Sequence, residues 1–117
     1  MVFAALYATI VGIGMIGQWT FFLLNKQVPE LETEPVRIAF HLAAELLTAL
    51  ALIASGVGLL AGAPWSRPAY RVAVGMLLYT CIVSPGYFAQ KRQWPLVVMF
   101  AVILLLALLS LILLARA

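Results

Sequence analysis

Arg37, His41 and Glu45 stand four residues apart in a mostly apolar stretch, and on a helix residues at that spacing lie on one face. They form a ladder of guanidinium, imidazole and carboxyl. Counted from Pro35 at about 1.5 Å per residue, Glu45 falls about 15 Å along its helix, near the middle of a bilayer. An acid at that depth costs about 2.5–3.5 kcal/mol and turns toward the bundle interior or a watery cavity. Its cheapest response is to hold a proton, because desolvation disfavours the charged form. Glu45 is therefore a candidate proton site, and His41, whose imidazole changes charge near neutrality, is a candidate relay to the surface. The same three residues also read as simple pairing, with Arg37 and His41 neutralising or hydrogen-bonding Glu45, since buried charges are normally paired.

Other polar side chains fall at matching depth. Gln18 is about 9 Å from the end of the first span and Thr80 about 15 Å from the end of the third, by the same rise. Ser84 and Tyr87 follow Thr80 at helical spacing, with Cys81 beside them. Hydroxyls in membrane helices often bond only their own backbone, but the convergence of Gln18, His41, Glu45, Thr80, Ser84 and Tyr87 predicts one ligand- or proton-binding pocket opening on one side. Pro85 removes an amide donor and presses on the turn before it, so Pro85-Gly86 is expected to interrupt or kink the third span. It should also leave the Cys81 carbonyl in need of a partner. That is either a gating feature or a static bend.

Metal and cofactor readings are weaker. His41 and Glu45 supply two ligands and Cys81, Met15, Met76 and Met99 are soft donors, yet a closed site needs about four. There is no Cys-x-x-Cys-His haem motif, no His-Glu-x-x-His and no Ser-His-Asp set. Neither a metal, a cofactor nor an enzymatic activity is expected.

These residues need elements to hold them, and the composition names the elements. The chain has 117 residues, 66% of them hydrophobic and 9% charged, with a mean hydropathy of +1.13, far above a soluble domain's roughly half-apolar composition. Charges gather in short segments between long apolar runs, each near the 20 or so residues that span a bilayer. The expected fold is all-α: an integral membrane four-helix bundle, a single domain over 1–117, with spans at about 2–24, 35–62, 69–89 and 94–115. Short connections make consecutive spans antiparallel neighbours. Glu34 and Pro35 suit the N-cap and first position of the second span, where proline's missing amide hydrogen costs nothing. The N-terminal run lacks a basic leader and exceeds a signal peptide's apolar core, so the first span is expected to be retained.

Four spans put both termini on one side, side A, with the 63–70 loop; the other two loops lie on side B. Arg67, Arg71 and Arg116 on side A balance Lys26, Arg37, Lys91 and Arg92 on side B, so the positive-inside rule leaves orientation undecided. Trp65 and Tyr70, and Tyr87 and Trp94, suit the aromatic belts of the two interfaces. The net charge of +3 is spread over helix ends without a basic stripe, which argues against a nucleic-acid partner. Small residues at four-residue spacing, Ala4, Ala8 and Gly12, and Ala54, Gly58 and Gly62, suit close helix packing within the chain or between copies. The last span has almost no polar handle and is expected to face lipid, outside the pocket. The function these features suggest is proton-linked binding or transport of a small amphipathic or cationic ligand by a membrane protein in the lipid bilayer, expected to be a homo-oligomer or to pair with a membrane protein partner. The alternative is a non-catalytic subunit that assembles with a larger membrane complex, where a partner's base meets Glu45.

Overall fold

The computed structural model describes residues 2–26 and 28–116. Met1, Gln27 and Ala117, which the single-domain reading includes, lie outside the described residues. The described chain forms five helices and no strand: α1 Val2–Leu24, α2 Glu30–Thr33, α3 Pro35–Ala61, α4 Ser66–Gln90 and α5 Trp94–Arg116. All except α2 are long and apolar enough to cross a membrane, which makes the architecture a helical bundle with the composition of a multi-pass membrane protein.

The breaks between helices follow from local chemistry. After Leu24 the Asn25 side-chain amide donates to the Phe21 carbonyl at 2.8 Å, and Lys26 takes a left-handed φ of 55°. At the end of α3, Gly62 is left-handed with φ 72° and Ala63 N–H donates to the Gly58 carbonyl at 2.9 Å. This glycine closure satisfies carbonyls that the helix end leaves open. Pro35 does occupy the start of α3 with Glu34 at its cap position. The Glu34 carboxylate, however, turns to the Arg37 guanidinium at 3.2 Å rather than to the backbone.

Three boundaries differ from expectation. The single turn α2 lies where the sequence suggested only a loop, because four residues are too few to show a hydrophobic period. The α4 helix starts at Ser66, three residues before Ala69; Pro68 sits in its first turn, where amides have no intrahelical acceptor in any case. It also runs through Ser84-Pro85-Gly86 to Gln90 without a break, since one proline removes only one donor and the turns on either side remain bonded.

The α1 helix packs chiefly on α3, and α4 lies between α3 and α5. Tyr7 closes the ring of helices by donating its hydroxyl to the Ile103 carbonyl of α5. Ala4, Ala8 and Gly12 are all buried, and a Cβ on Gly12 would meet Ile53 Cγ1 at 2.6 Å and the Ala49 carbonyl oxygen at 2.7 Å. The matching stripe on α3 is displaced from the expected one. Ala54 and Gly62 are exposed, Gly62 serving as the helix stop, and only Gly58 is buried, with Trp65 over it. Leu52 and Leu59, both in the core, decide which face turns inward, and that face carries Ser55 and Gly56. The missing Cβ of Gly56 leaves room for Thr9 Oγ1 and the Ala5 carbonyl.

Candidate functional site

Glu45 sits in the side B half of the bundle, 5% exposed, and its surroundings are polar on one oxygen. Thr80 Oγ1 donates to Glu45 Oε1 at 3.0 Å and Ser84 Oγ donates to the same oxygen at 3.3 Å. His41 Nε2 lies 3.6 Å from it, within ion-pair reach when the imidazole is protonated but too long for a hydrogen bond. The two hydroxyl bonds stand apart from the others. Thr9, Thr48, Ser55, Ser66 and Ser110 all bond carbonyls three or four residues back in their own chain segment, the ordinary habit of hydroxyls in helices. Thr80 and Ser84 instead reach from α4 to a carboxyl on α3.

A vestibule of about 270 Å³ opens above Glu45 toward side B. Its floor is Glu45, His41 and Ser84; Gln18 and Trp19 line it from α1, Tyr87 and Phe88 from α4, and Phe100 from α5. The walls form an aromatic series. Trp19 meets the His41 ring edge-to-face at 5.5 Å, Tyr87 meets Phe88 at 5.2 Å, and Phe88 stacks on Phe100 at 5.7 Å.

Charged groups ring the mouth. Glu34 and Arg37 line it as a pair. Glu30 on α2 accepts a hydrogen bond from the Tyr87 hydroxyl at 3.0 Å, and Lys91 Nζ approaches Glu30 Oε1 at 3.9 Å while donating to the same Tyr87 oxygen. The ammonium also lies 4.1 Å from the centre of the Tyr87 ring. Burial works against charge on Glu30, but its backbone amide, the Tyr87 hydroxyl and the nearby Lys91 and Arg37 charges together hold its carboxyl below the usual range. The Glu30, Tyr87 and Lys91 contacts thus clasp the short α2 helix to the end of α4, beside the vestibule mouth.

A profile described as a domain of unknown function matches residues 1–117. The chain belongs to the DUF8058 family. No curated protein and no solved structure matches it. Functional inference for this DUF8058 chain therefore rests on the geometry of its own residues.

Of the residues the sequence singled out, Gln18, His41, Glu45, Ser84, Tyr87 and Gly86 all line the vestibule. Thr80 does not, although it donates to Glu45 Oε1 beside Ser84. Arg37 leaves the ladder, because its guanidinium is 81% exposed and turns to Glu34, the nearer carboxylate in a wetter setting. Pro85 is half-buried inside a continuous helix. The last span is not wholly outside the pocket, since Phe100 forms part of its wall.

Sequence reasoning missed Glu30, Trp19, Phe88 and Phe100. Phe88 follows Ser84 by one helical turn and Trp19 follows Gln18 directly, so both carried a positional signal; Glu30 and Phe100 carried none. Cys81 is buried and unbridged, and among the described residues no three His, Cys, Asp or Glu side chains are grouped to hold a metal.

Proposed function

We propose that the chain is an integral, multi-pass membrane protein that binds a small cationic or amphipathic ligand in the side B vestibule, with occupancy linked to protonation of Glu45 and used for transport across or out of the bilayer. The observation that carries this reading is the vestibule floor: a lone carboxyl, deep in a span, with an imidazole at 3.6 Å and an open cavity above it. An acid within a membrane span is by default a functional group. The aromatic walls suit a cation with an apolar body, because ring faces attract positive charge.

Cavity size bounds the ligand. The vestibule, about 270 Å³, lies just below the range of about 300–1,000 Å³ common for ligand pockets. It exceeds the roughly 150 Å³ apolar cavity that admits benzene. A one-ring amine is of the right scale.

The assembly-subunit alternative draws less support. It needs a partner's base to meet Glu45, yet Thr80, Ser84 and His41 already face that carboxyl from within the chain. The deciding experiment is proton movement coupled to uptake of N,N-dimethylbenzylamine in proteoliposomes of the purified chain. The reading expects coupled movement that Glu45→Gln abolishes. Absence of both binding and coupled protons in the wild-type chain transfers weight to the assembly role.

A further inference from the structure

Glu45 is reachable from a second direction. On the outer side of the α3–α4 seam lies a groove of about 280 Å³ whose lining includes Ala44, Glu45, Thr48, Met76, Tyr79 and Thr80. His41, Glu45, Val83 and Ser84 line both this groove and the vestibule, so these four side chains are the partition between them. Ala44, Tyr79 and Val83 on the groove are exposed. Ala44 lies about 14 Å along α3 by the helical rise, a depth at which an exposed surface meets hydrocarbon rather than water.

We propose that the α3–α4 groove is a lateral portal through which uncharged lipophilic amines pass from the hydrocarbon to Glu45, where they are protonated before entering the vestibule. This rests on the vestibule reading above and names the class of its ligand and its entry route. An amine without charge dissolves in hydrocarbon, whereas a permanent cation pays the full cost of leaving water. At the partition the Glu45 O–H bond breaks, the amine lone pair forms the new N–H bond, and the carboxyl keeps the O–H electron pair as carboxylate. The product is an ammonium beside a carboxylate that Thr80 and Ser84 already contact through their hydroxyls. On the far side of the partition, the Trp19, Tyr87 and Phe88 rings and the Glu30 and Glu34 carboxylates face that ammonium along the path to side B.

The titratable and charged groups around Glu45 are His41 on its own helix, Cys81 on α4, Tyr79 along the groove, and Glu30, Glu34, Arg37 and Tyr87 toward the vestibule mouth. The side chains that α1 and α5 contribute near it, Gln18, Trp19, Met15 and Phe100, carry no ionisable group. The proton spent on an amine therefore has His41 as its nearest source on the side B path.

The test compares N,N-dimethylbenzylamine with benzyltrimethylammonium, its quaternary relative, using radiolabelled probes and the full chain in phosphatidylcholine vesicles. Ala44→Trp fills the groove from an exposed position, and Ala44→Leu repeats the block with a smaller side chain. The expected result is an association rate for the tertiary amine reduced about tenfold in Ala44→Trp, the low end of the spread among variants of one site. The quaternary ion, which enters only by the mouth, keeps its rate, and Ala44→Leu gives an intermediate slowing of the amine alone. Equal rates for the amine in wild type and both variants overturn the portal while leaving the vestibule intact. Equal slowing of both probes overturns it too, because the effect is then not specific to the route. If neither probe binds the wild-type chain, the vestibule reading itself fails, and with it the portal.

Discussion

His41→Ala separates a proton relay from a structural brace. The imidazole is 3.6 Å from Glu45 Oε1, beyond hydrogen-bonding distance, so its removal leaves the Thr80 and Ser84 bonds to that oxygen in place. The main packing loss is the edge-to-face contact with Trp19 at 5.5 Å, and such aromatic pairs contribute about 0.5–1.5 kcal/mol. Thr80→Val is the opposite perturbation. It deletes a buried 3.0 Å hydrogen bond to the carboxyl while Ser84 still donates to the same oxygen, so the loss is that of one net hydrogen bond, about 0.5–1.5 kcal/mol. A relay therefore predicts that His41→Ala and Thr80→Val lower stability by comparable amounts, yet that His41→Ala slows proton entry far more. The slowing should be on the order of a hundredfold, the low end of what a positioned acid–base group contributes. Thermal unfolding in detergent gives the first quantity, and a pH-sensitive dye inside proteoliposomes under an imposed proton gradient gives the second. An unchanged proton rate in His41→Ala, or equal slowing in Thr80→Val, refutes the relay and makes the histidine a brace.

Further outcomes follow from the packing and the mouth. Gly56→Ala should lose about 1–3 kcal/mol, the usual cost of overpacking, because its Cβ would run into Thr9 and the Ala5 carbonyl; Gly14→Ala, with nothing within 4 Å of a new Cβ, should be neutral or gain up to about 1 kcal/mol of helix propensity. Parallel melts of the two variants check the pair. Since the Glu30 carboxyl is held below the usual range, the clasp on α2 is fully present above the ordinary carboxylate value and is lost as pH falls through the lowered one. Hydrogen exchange of the α2 amides should thus accelerate in acid in the wild type and be fast, with a flattened acid response, in Glu30→Gln. Tyr87→Phe removes the bridging hydroxyl and should speed ligand exit from the vestibule, as read by ligand washout.

The spans were legible because charge is sparse over each of them and falls mostly at the helix ends, a signal that needs no partner helix to interpret. The deep site was legible for a related reason: a carboxyl, an imidazole and a few hydroxyls in hydrocarbon must be brought together, so matching depth along separate helices predicted the meeting of Gln18, His41, Glu45 and Ser84. What depth cannot supply is rotation. Thr80 has the right depth but lines the outer groove rather than the vestibule, and Ser55 and Gly56, the small residues that α3 turns inward, lie one and two positions from the exposed Ala54, about 100–200° around the helix. Arg37 was misplaced because spacing on one helix says nothing of a competing carboxylate three residues before it. The clasp through Glu30 was invisible, since it depends on a single turn folding back toward the end of a helix more than fifty positions away in sequence. Phe100 was hidden in plain view among apolar neighbours, any of which would have passed for a lipid-facing residue.

The central claim is that Glu45 holds the proton that ligand binding displaces. Infrared difference spectroscopy of the chain in a lipid bilayer, recorded as N,N-dimethylbenzylamine is added, tests it most directly. The account predicts loss of a protonated-carboxyl band in step with amine binding, with that band absent from Glu45→Gln. Amine binding with no change in that band, or the same band change in Glu45→Gln, would contradict it.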